Sequence, residues 1–132
     1  TTGANSLTVT NCSTSAITGG NSTSYVKGTL IRCVNSAGPY TFPVGTGVGY
    51  APVTLGGVVG SGTFLVSPVD GVLTGASPLQ SIQRYWTITP SGPTQANITL
   101  SYQASDVPGG ANESAFQILH QNLHHRRCLY RV

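Results

Sequence analysis

The chain has 132 residues, of which 17 are Thr, 14 Ser, 17 Gly and 7 Asn, whereas Lys, Arg, Asp and Glu together supply nine. This length fits one domain, and so few charges and straight-chain helix formers exclude a helical bundle, a coiled coil and a charge-rich disordered segment. A β-rich globular domain is therefore predicted. The sequence has neither a signal-peptide pattern nor an apolar run of about 18 residues, so we expect a processed chain or a piece of a longer one, without membrane insertion.

The net charge of +3 is confined to the end of the chain. Residues 1–119 balance three basic against three acidic side chains, so the excess comes from Arg126, Arg127 and Arg131. All three histidines lie in the same segment, 120–132. A nucleic-acid partner is not expected, because the body lacks a basic face. We predict a single domain over residues 1–119, followed by a basic, His-rich tail over 120–132.

The first predicted strands, 7–10 and 24–34, are separated by a Gly-Gly turn. Segments 7–9 and 25–28 lie 18 to 19 residues apart, a repeat that suits one rung of a parallel β-helix. A single rung cannot bury its own face. Residues 1–30 are therefore predicted to cap a solenoid, to dock onto a neighbouring subunit, or to join a sandwich as ordinary strands.

The next predicted element, 38–45, alternates aromatic and aliphatic side chains on one face. Pro43 removes a ladder donor, which favours an edge strand or a bulge at this point. Its expected partner is 50–55, across a Gly-rich loop.

The remaining predicted strands are 63–66, 69–73, 83–89, 98–102 and 115–119. Pro68 and an Asp-Gly turn pair are expected to separate the first two. Segment 90–97 consists largely of turn formers, so the two strands that flank it are predicted to form a hairpin. Eight or nine such strands suffice for two packed sheets, and we predict an all-β fold, an antiparallel β-sandwich of immunoglobulin-like or jelly-roll-like character.

Three cysteines, Cys12, Cys33 and Cys128, allow at most one internal disulfide. A bond between Cys12 and Cys33 would close a loop of about 20 residues and stabilise the fold by about 3 kcal/mol in the chain-entropy picture. Buried free thiols are the alternative.

Four predicted strand segments share a recognisable sequence pattern: YTFPVG at 40–45, YAPVTL at 50–55, RYWTI at 84–88 and NITLSY at 97–102. Over roughly residues 5–119 the chain resembles the β-sandwich repeats of very large secreted or surface-anchored, adhesin-like bacterial proteins, commonly of Bacteroidetes-like organisms and often type IX-secreted. The resemblance implies a stalk, adhesin or surface-layer role outside the cell, with no catalytic residues to carry over. Segment 120–132 departs from the pattern.

Carboxylates are scarce, with only Asp70, Asp106 and Glu113 present. Glycoside hydrolysis needs two facing acids, and turn capping is the simpler role for the last two, so we expect no enzyme. The loop that runs from Asp106 to Glu113 offers Asp106, Asn112 and Glu113 as calcium ligands. Two carboxylates are few for a cation that takes six to eight oxygens, and no cofactor is predicted.

The tail places His120, His124 and Cys128 at a spacing that would align them on a helix as zinc ligands. No carboxylate lies nearby in sequence to orient them, so a solvated tail is the favoured interpretation.

Trp86 is the only tryptophan and shares a strand face with Arg84 and Ile88. A core Trp spanning two sheets is the favoured interpretation, and an exposed platform for sugar rings is the alternative. The other candidate ligand-stacking residues are Tyr40, Tyr50 and Tyr102.

The function expected from these features is an extracellular structural or adhesive module of a bacterial surface protein. Its expected partner is itself, through strand edges or N-terminal strand docking that builds a filament or surface layer. The alternative is a non-catalytic carbohydrate-binding module with surface glycans as partners.

Overall fold

The computed structural model describes residues 1–122 and 125–131, and over these residues the chain is all-β. The strands are β1 (Ser6–Val9), β2 (Val26–Lys27), β3 (Thr29–Val34), β4 (Tyr40–Phe42), β5 (Val44–Gly45), β6 (Val53–Val59), β7 (Gly62–Asp70), β8 (Arg84–Ser91), β9 (Gln95–Leu100), β10 (Gln117–Asn122) and β11 (His125–Arg131). Short 3-10 turns lie at Thr14–Ala16, Ala104–Asp106 and Glu113–Ala115. No helix in the described part of the chain has the length and apolar character needed to cross a membrane.

Two larger sheets form the body. One has the strand order β1-β3-β7-β8, in which β1 runs parallel to β3 and the other neighbours are antiparallel. The other is antiparallel, with the order β4-β6-β9. Strands β2 and β5 make a short parallel pair, and β10 and β11 make a hairpin. The architecture is sandwich-like, with open sheets rather than a closed barrel.

The inward faces of both sheets meet in one core. In β3, alternation buries Leu30, Arg32 and Val34 while the residues between them stay partly exposed, as the period of a strand requires. The buried apolar side chains of the cluster are Leu30, Val34, Tyr40, Phe42, Val44, Val53, Leu55, Val58, Phe64 and Val66. Burial of each large apolar side chain contributes about 1.5 to 3 kcal/mol, so this cluster holds the two sheets together.

The predicted edge strand 38–45 is observed. Pro43 divides it into β4 and β5, and Tyr40, Phe42 and Val44 are all fully buried on one face. Strand β4 lies at the edge of its sheet and pairs with β6, with Tyr40 level with Leu55. The period-2 pattern and the proline therefore located this element correctly.

The two short strands predicted around Pro68 are wrong, because the chain forms one continuous strand, β7. Pairing of β7 with β3 ends at Val66, two residues before Pro68. On that side the missing N–H of proline costs no ladder bond, which is why the strand tolerates it.

The predicted hairpin across 90–97 is also wrong. Strand β8 pairs with β7, whereas β9 pairs with β6 in the other sheet, so the chain passes from one sheet to the other between them. Gly92, with φ of 105°, makes this crossing, and a Cβ there would collide with the carbonyl of Ser61. Turn formers marked the bend correctly but carried no information about which sheet the next strand joins.

The N-terminal strand pairs in parallel, as the rung interpretation requires, but with a different partner. Leu7 lies level with Leu30 in β3, not with the predicted segment 25–28. Val26 and Lys27 pair instead with β5. Strand β1 therefore joins the sandwich as the outermost strand of the four-stranded sheet.

The end of the chain forms a hairpin, and the solvation predicted for residues 120–132 stays a prediction. The backbone of β10 pairs with that of β11, with His120 level with Cys128, so the helical spacing proposed for zinc ligands is not formed. His124 lies outside the described residues. The predicted strand 115–119 overlaps β10, which pairs with β11 and with neither of the two larger sheets.

Candidate functional site

The outer edge of β1, called here the β1 edge and formed by Ser6–Val9, has no strand partner in the described chain. The strand contains neither proline nor charge, and Leu7 is 47% exposed. Pairing with β3 and packing of Val9 against the core hold it in an extended conformation. An ordered, uncharged strand with free N–H and C=O groups is a template for a further strand.

Two of the other three edges of these sheets, β4 and β8, are less open to pairing. Strand β4 is flanked by Pro39 and Pro43, and β8 contains Pro90. Proline on an edge strand is a common protection against pairing with another chain. Strand β9 resembles β1 instead, because it lacks proline and charge, and its Ile98 is 40% exposed.

Arg32 projects from β3 into the core and is completely buried. Its Nη1 donates to the carbonyl of Thr41 at 2.7 Å, and its Nη2 donates to the carbonyls of Ser13 at 2.9 Å and Thr14 at 2.7 Å. The buried Nε has no hydrogen-bond partner in the described structure. Arg32 and these three carbonyls are called the Arg32 cage, in which the hydrogen-bond acceptors of the positive charge are all main-chain carbonyls.

Tyr40 closes one side of the Arg32 cage. The guanidinium lies 5.0 Å from the centre of the Tyr40 ring, and the Tyr40 hydroxyl donates to the carbonyl of Cys12 at 3.3 Å. Burial alone would raise the pKa of Tyr40, but hydrogen bonds from Ser36 and Asn35 and the charge of Arg32 lower it below its ordinary value. Tyr40 is therefore not the surface stacking residue that the sequence suggested.

Cys12 and Cys33 form the disulfide that the sequence allowed. The bond joins the chain just beyond β1 to β3, and Cys33 is the immediate neighbour of Arg32. The segment that follows Cys12 supplies two of the three carbonyls of the Arg32 cage. The disulfide and the buried guanidinium therefore hold the same segment against β3.

Arg84 is the second buried arginine, at 2% exposure, and it has acidic partners. Its Nε and Nη2 donate to the two carboxylate oxygens of Asp106 at 3.0 and 2.9 Å. Its Nη1 lies 3.0 Å from Asp70 Oδ1 and donates to Thr46 Oγ1 at 3.0 Å. These four residues, called the Arg84 clamp, join β8 to β7, to the loop after β5 and to the 3-10 turn at Ala104–Asp106.

Proton affinities in the Arg84 clamp follow from these contacts. The hydrogen bonds to Asp106, opposed in part by burial, raise the pKa of Arg84. Burial alone would raise the pKa of Asp106, but hydrogen bonds from Arg84 and from the N–H of Gln103 bring it below its ordinary value. Both groups are therefore charged at neutral pH.

The calcium hypothesis is not supported by the placement of its three residues. Both carboxylate oxygens of Asp106 accept hydrogen bonds from Arg84. Asn112 Oδ1 accepts from the N–H and hydroxyl of Ser114, and Glu113 Oε2 accepts from the Tyr102 hydroxyl at 2.9 Å. Each side chain has a structural role, and no group of three His, Cys, Asp or Glu side chains that could hold a metal comes together in the described residues.

The aromatic candidates do not form one exposed platform. Trp86 packs against the core, and its indole N–H donates to the carbonyl of Ala51 at 3.0 Å, in agreement with the core interpretation. Tyr50 lies against Tyr25, and burial raises its pKa. Tyr102 is 39% exposed and packs beside Phe116. The hydrogen bond to Glu113, with some burial, raises the pKa of Tyr102.

The strand pattern placed Arg84 on the same face as Trp86 but gave neither buried arginine a role. The signal was available in the alternation, since Arg32 stands between Leu30 and Val34 on the buried face of β3. The acceptors come from residues 9 to 19 positions away for Arg32 and 22 positions away for the Asp106 pair with Arg84, which no local pattern reveals.

Comparison with known proteins adds no relative to this description: no family model, curated protein or solved structure matches the chain.

Proposed function

We propose that this chain is an extracellular structural module of a bacterial surface protein that self-assembles by strand addition at the β1 edge. The observation that carries the proposal is the free, uncharged and proline-free edge of an ordered strand, on a body whose β4 and β8 edges carry or adjoin proline. The resemblance to repeats of adhesin-like proteins points to the same role.

The location of the protein is inferred from its disulfide and from its composition. A disulfide persists in an oxidising compartment, which supports a location outside the cell or at its surface. The basic and acidic side chains of residues 1–119 balance, and much of the body is Ser, Thr, Asn and Gly, which suits a hydrated and chemically inert building block. Two largely antiparallel sheets that share one core support an immunoglobulin-like or jelly-roll-like type for the sandwich.

Which two edges pair decides whether strand addition gives a closed dimer or a filament. Pairing of β1 with β1 of a second copy uses the same surface twice and closes as a dimer. Pairing of β1 with the similarly unprotected β9 of a second copy leaves a free β9 and a free β1 at the two ends, so assembly continues as a filament. We propose the second arrangement, because it uses both unprotected edges.

The test is a substitution that charges the edge without touching the core. Leu7→Lys places an ammonium on the β1 edge and is expected to abolish polymers that the wild-type chain forms at high concentration, measured by light scattering after size-exclusion chromatography. Ile98→Lys, on β9, is expected to do the same. Leu79→Lys is the matched control, because Leu79 is 76% exposed and lies outside the strands.

The outcomes separate the arrangements. Dimers that survive Ile98→Lys but not Leu7→Lys would show closure through β1 alone. A wild-type chain that stays monomeric over the whole concentration range, or polymers of unchanged size in Leu7→Lys, would overturn the proposal. Retention on an insoluble polysaccharide that is lost in Tyr102→Ala would instead support the carbohydrate-binding alternative.

A further inference from the structure

Residues 12–14, which follow β1 in the chain, make an unusual set of contacts. The carbonyls of three consecutive residues, 12–14, all turn inward: that of Cys12 meets the Tyr40 hydroxyl, and those of Ser13 and Thr14 meet Arg32. Beside them, the Cys12–Cys33 disulfide joins the same segment to β3. Covalent and polar contacts therefore fasten one short stretch of chain to β3 and, through Tyr40, to β4.

Few other polar contacts hold this stretch in place. The turn bonds of Asn11, Ser13 and Ser15 stay within the segment itself. Among the side-chain and loop hydrogen bonds of the described chain, those that leave residues 11–16 reach Arg32 and Tyr40, apart from a contact of Cys12 Sγ with the adjacent Thr10. Ile17, next in sequence, packs against the core. Loss of the disulfide would leave residues 12–14, between β1 and Ile17, held to the fold only by the hydrogen bonds to Arg32 and Tyr40.

The buried charge depends on this segment more than an ordinary arginine would. Arg32 is fully buried, its Nε is already unpaired, and its hydrogen bonds to Thr41, Ser13 and Thr14 are all to neutral carbonyls. A buried cation without a carboxylate is stable only while dipoles surround it. If Ser13 and Thr14 withdraw, water must enter to replace two of the three acceptors.

We propose that the Cys12–Cys33 disulfide is a redox latch on the Arg32 cage. With the bond intact, the carbonyls of Ser13 and Thr14 stay on the guanidinium and seal the core at the β1 end. With the bond reduced, residues 12–14 separate from β3 and water reaches Arg32 and Tyr40. The sealed form thus belongs to an oxidising compartment, independently of whether the chain assembles.

The opening step is a two-electron reduction. A dithiol reductant attacks one sulfur of the disulfide as its thiolate, the protein S–S bond breaks, and a mixed disulfide forms. The second thiolate of the reductant then displaces the protein sulfur, so the reductant leaves as a disulfide. Cys12 and Cys33 each end with one proton as thiols.

The decisive measurement is a cycle of reduction and substitution, with all chains carrying Cys128→Ser to prevent exchange with the third cysteine. Reduction should lower the equilibrium constant for folding, measured by urea unfolding, about tenfold more in the parent chain than in Arg32→Met, because only the former loses the cage. Arg84→Met is the matched control, and it should respond to reduction as the parent does. Equal losses in all three chains would overturn the latch.

A second measurement keeps the inference testable if Arg32→Met does not fold. The backbone N–H groups of Asn35 and Ser36 donate to the Tyr40 hydroxyl, so their hydrogen exchange reports the state of the cage. Reduction of the parent chain should raise their exchange rates about tenfold. The N–H of Gln83, which donates to the carbonyl of Asp106, should be unaffected. Unchanged exchange at Asn35 and Ser36 would refute the latch.

Discussion

The two buried arginines lie on strands of the same sheet, yet their positive charges are stabilised in different ways. Arg84 meets two carboxylates, one of them buried with it, so that opposite charges balance inside the protein. Arg32 meets three neutral carbonyls and an aromatic ring. Burial accordingly lowers the pKa of Arg32, whereas the hydrogen bonds to Asp106 raise that of Arg84. The comparison separates a buried charge that is paired from one that is only solvated by the main chain.

This difference determines what each site contributes. The Arg84 clamp links side chains of distant elements, and removal of one partner leaves the other as an uncompensated buried charge. In the Arg32 cage the acceptors are backbone groups, which remain neutral when the guanidinium is removed and can bind water instead. We therefore expect single substitutions in the clamp to lower the free energy of unfolding more than those in the cage. The stability of the cage should depend instead on whether the backbone of residues 13–14 stays in place.

The largest effect is expected for Arg84→Met, which leaves the buried Asp106 carboxylate without its cation. The free energy of unfolding should fall by about 3 to 5 kcal/mol, measured by urea denaturation at neutral pH. Adding Asp106→Leu should restore most of the loss, because a well-packed apolar pair replaces the ion pair. Asp70→Asn is the control, with an expected loss of about 0 to 1 kcal/mol, since Asp70 is partly solvated.

A smaller effect is expected for Arg32→Met. The carbonyls of Ser13, Thr14 and Thr41 lose their donors, and the free energy of unfolding of the oxidised chain should fall by about 1 to 3 kcal/mol in the same assay. A loss equal to or greater than that of Arg84→Met would contradict the distinction drawn between the two sites.

The smallest effect on stability is expected when the pH is lowered into the acid range. The pKa of Asp106 is lower in the folded protein than the ordinary value of about 3.9, so the unfolded chain binds more protons between the two pKa values. Stability from the clamp is complete above the ordinary value and is lost as the pH falls through the folded one. Urea midpoints across this range should decline in the wild type and in Arg32→Met alike.

Acid should act oppositely on the variant that breaks the clamp. In Arg84→Met the unpaired Asp106 carboxylate becomes neutral as the pH falls, so the stability gap to the wild type should narrow. A gap that stays constant between neutral and acid pH would show that Asp106 does not depend on Arg84 for its charge.

Local patterns predicted much of the fold, and particular residues show where they stopped. The predicted strand 24–34 contains β3, and Pro43 marked the break between β4 and β5. The hairpin across 90–97 failed because the turn residues specify a bend, while Gly92 carries the chain into the other sheet. Which strand accepts the next one is decided by side chains far away in sequence.

The candidate site shows the same limit. The cysteine count allowed Cys12 to pair with Cys33, and the composition of Ser6–Val9 gave an uncharged strand. That this strand lies at the outside of a sheet depends on its parallel pairing with β3, a contact between segments 23 residues apart at Leu7 and Leu30. Aromatic identity alone suggested Tyr40 as a surface residue, whereas packing buries it.

By itself, the amino-acid sequence determined an all-β chain with few charges, its main alternating strands, and one possible internal disulfide, because these follow from composition, from the two-residue period of a strand and from counting. The tertiary structure alone decided which strands lie at the edges, and that one buried arginine meets carboxylates while the other meets carbonyls. Those outcomes depend on long-range contacts, and a charged side chain on an inward face acquires its role only from the groups that folding brings to it.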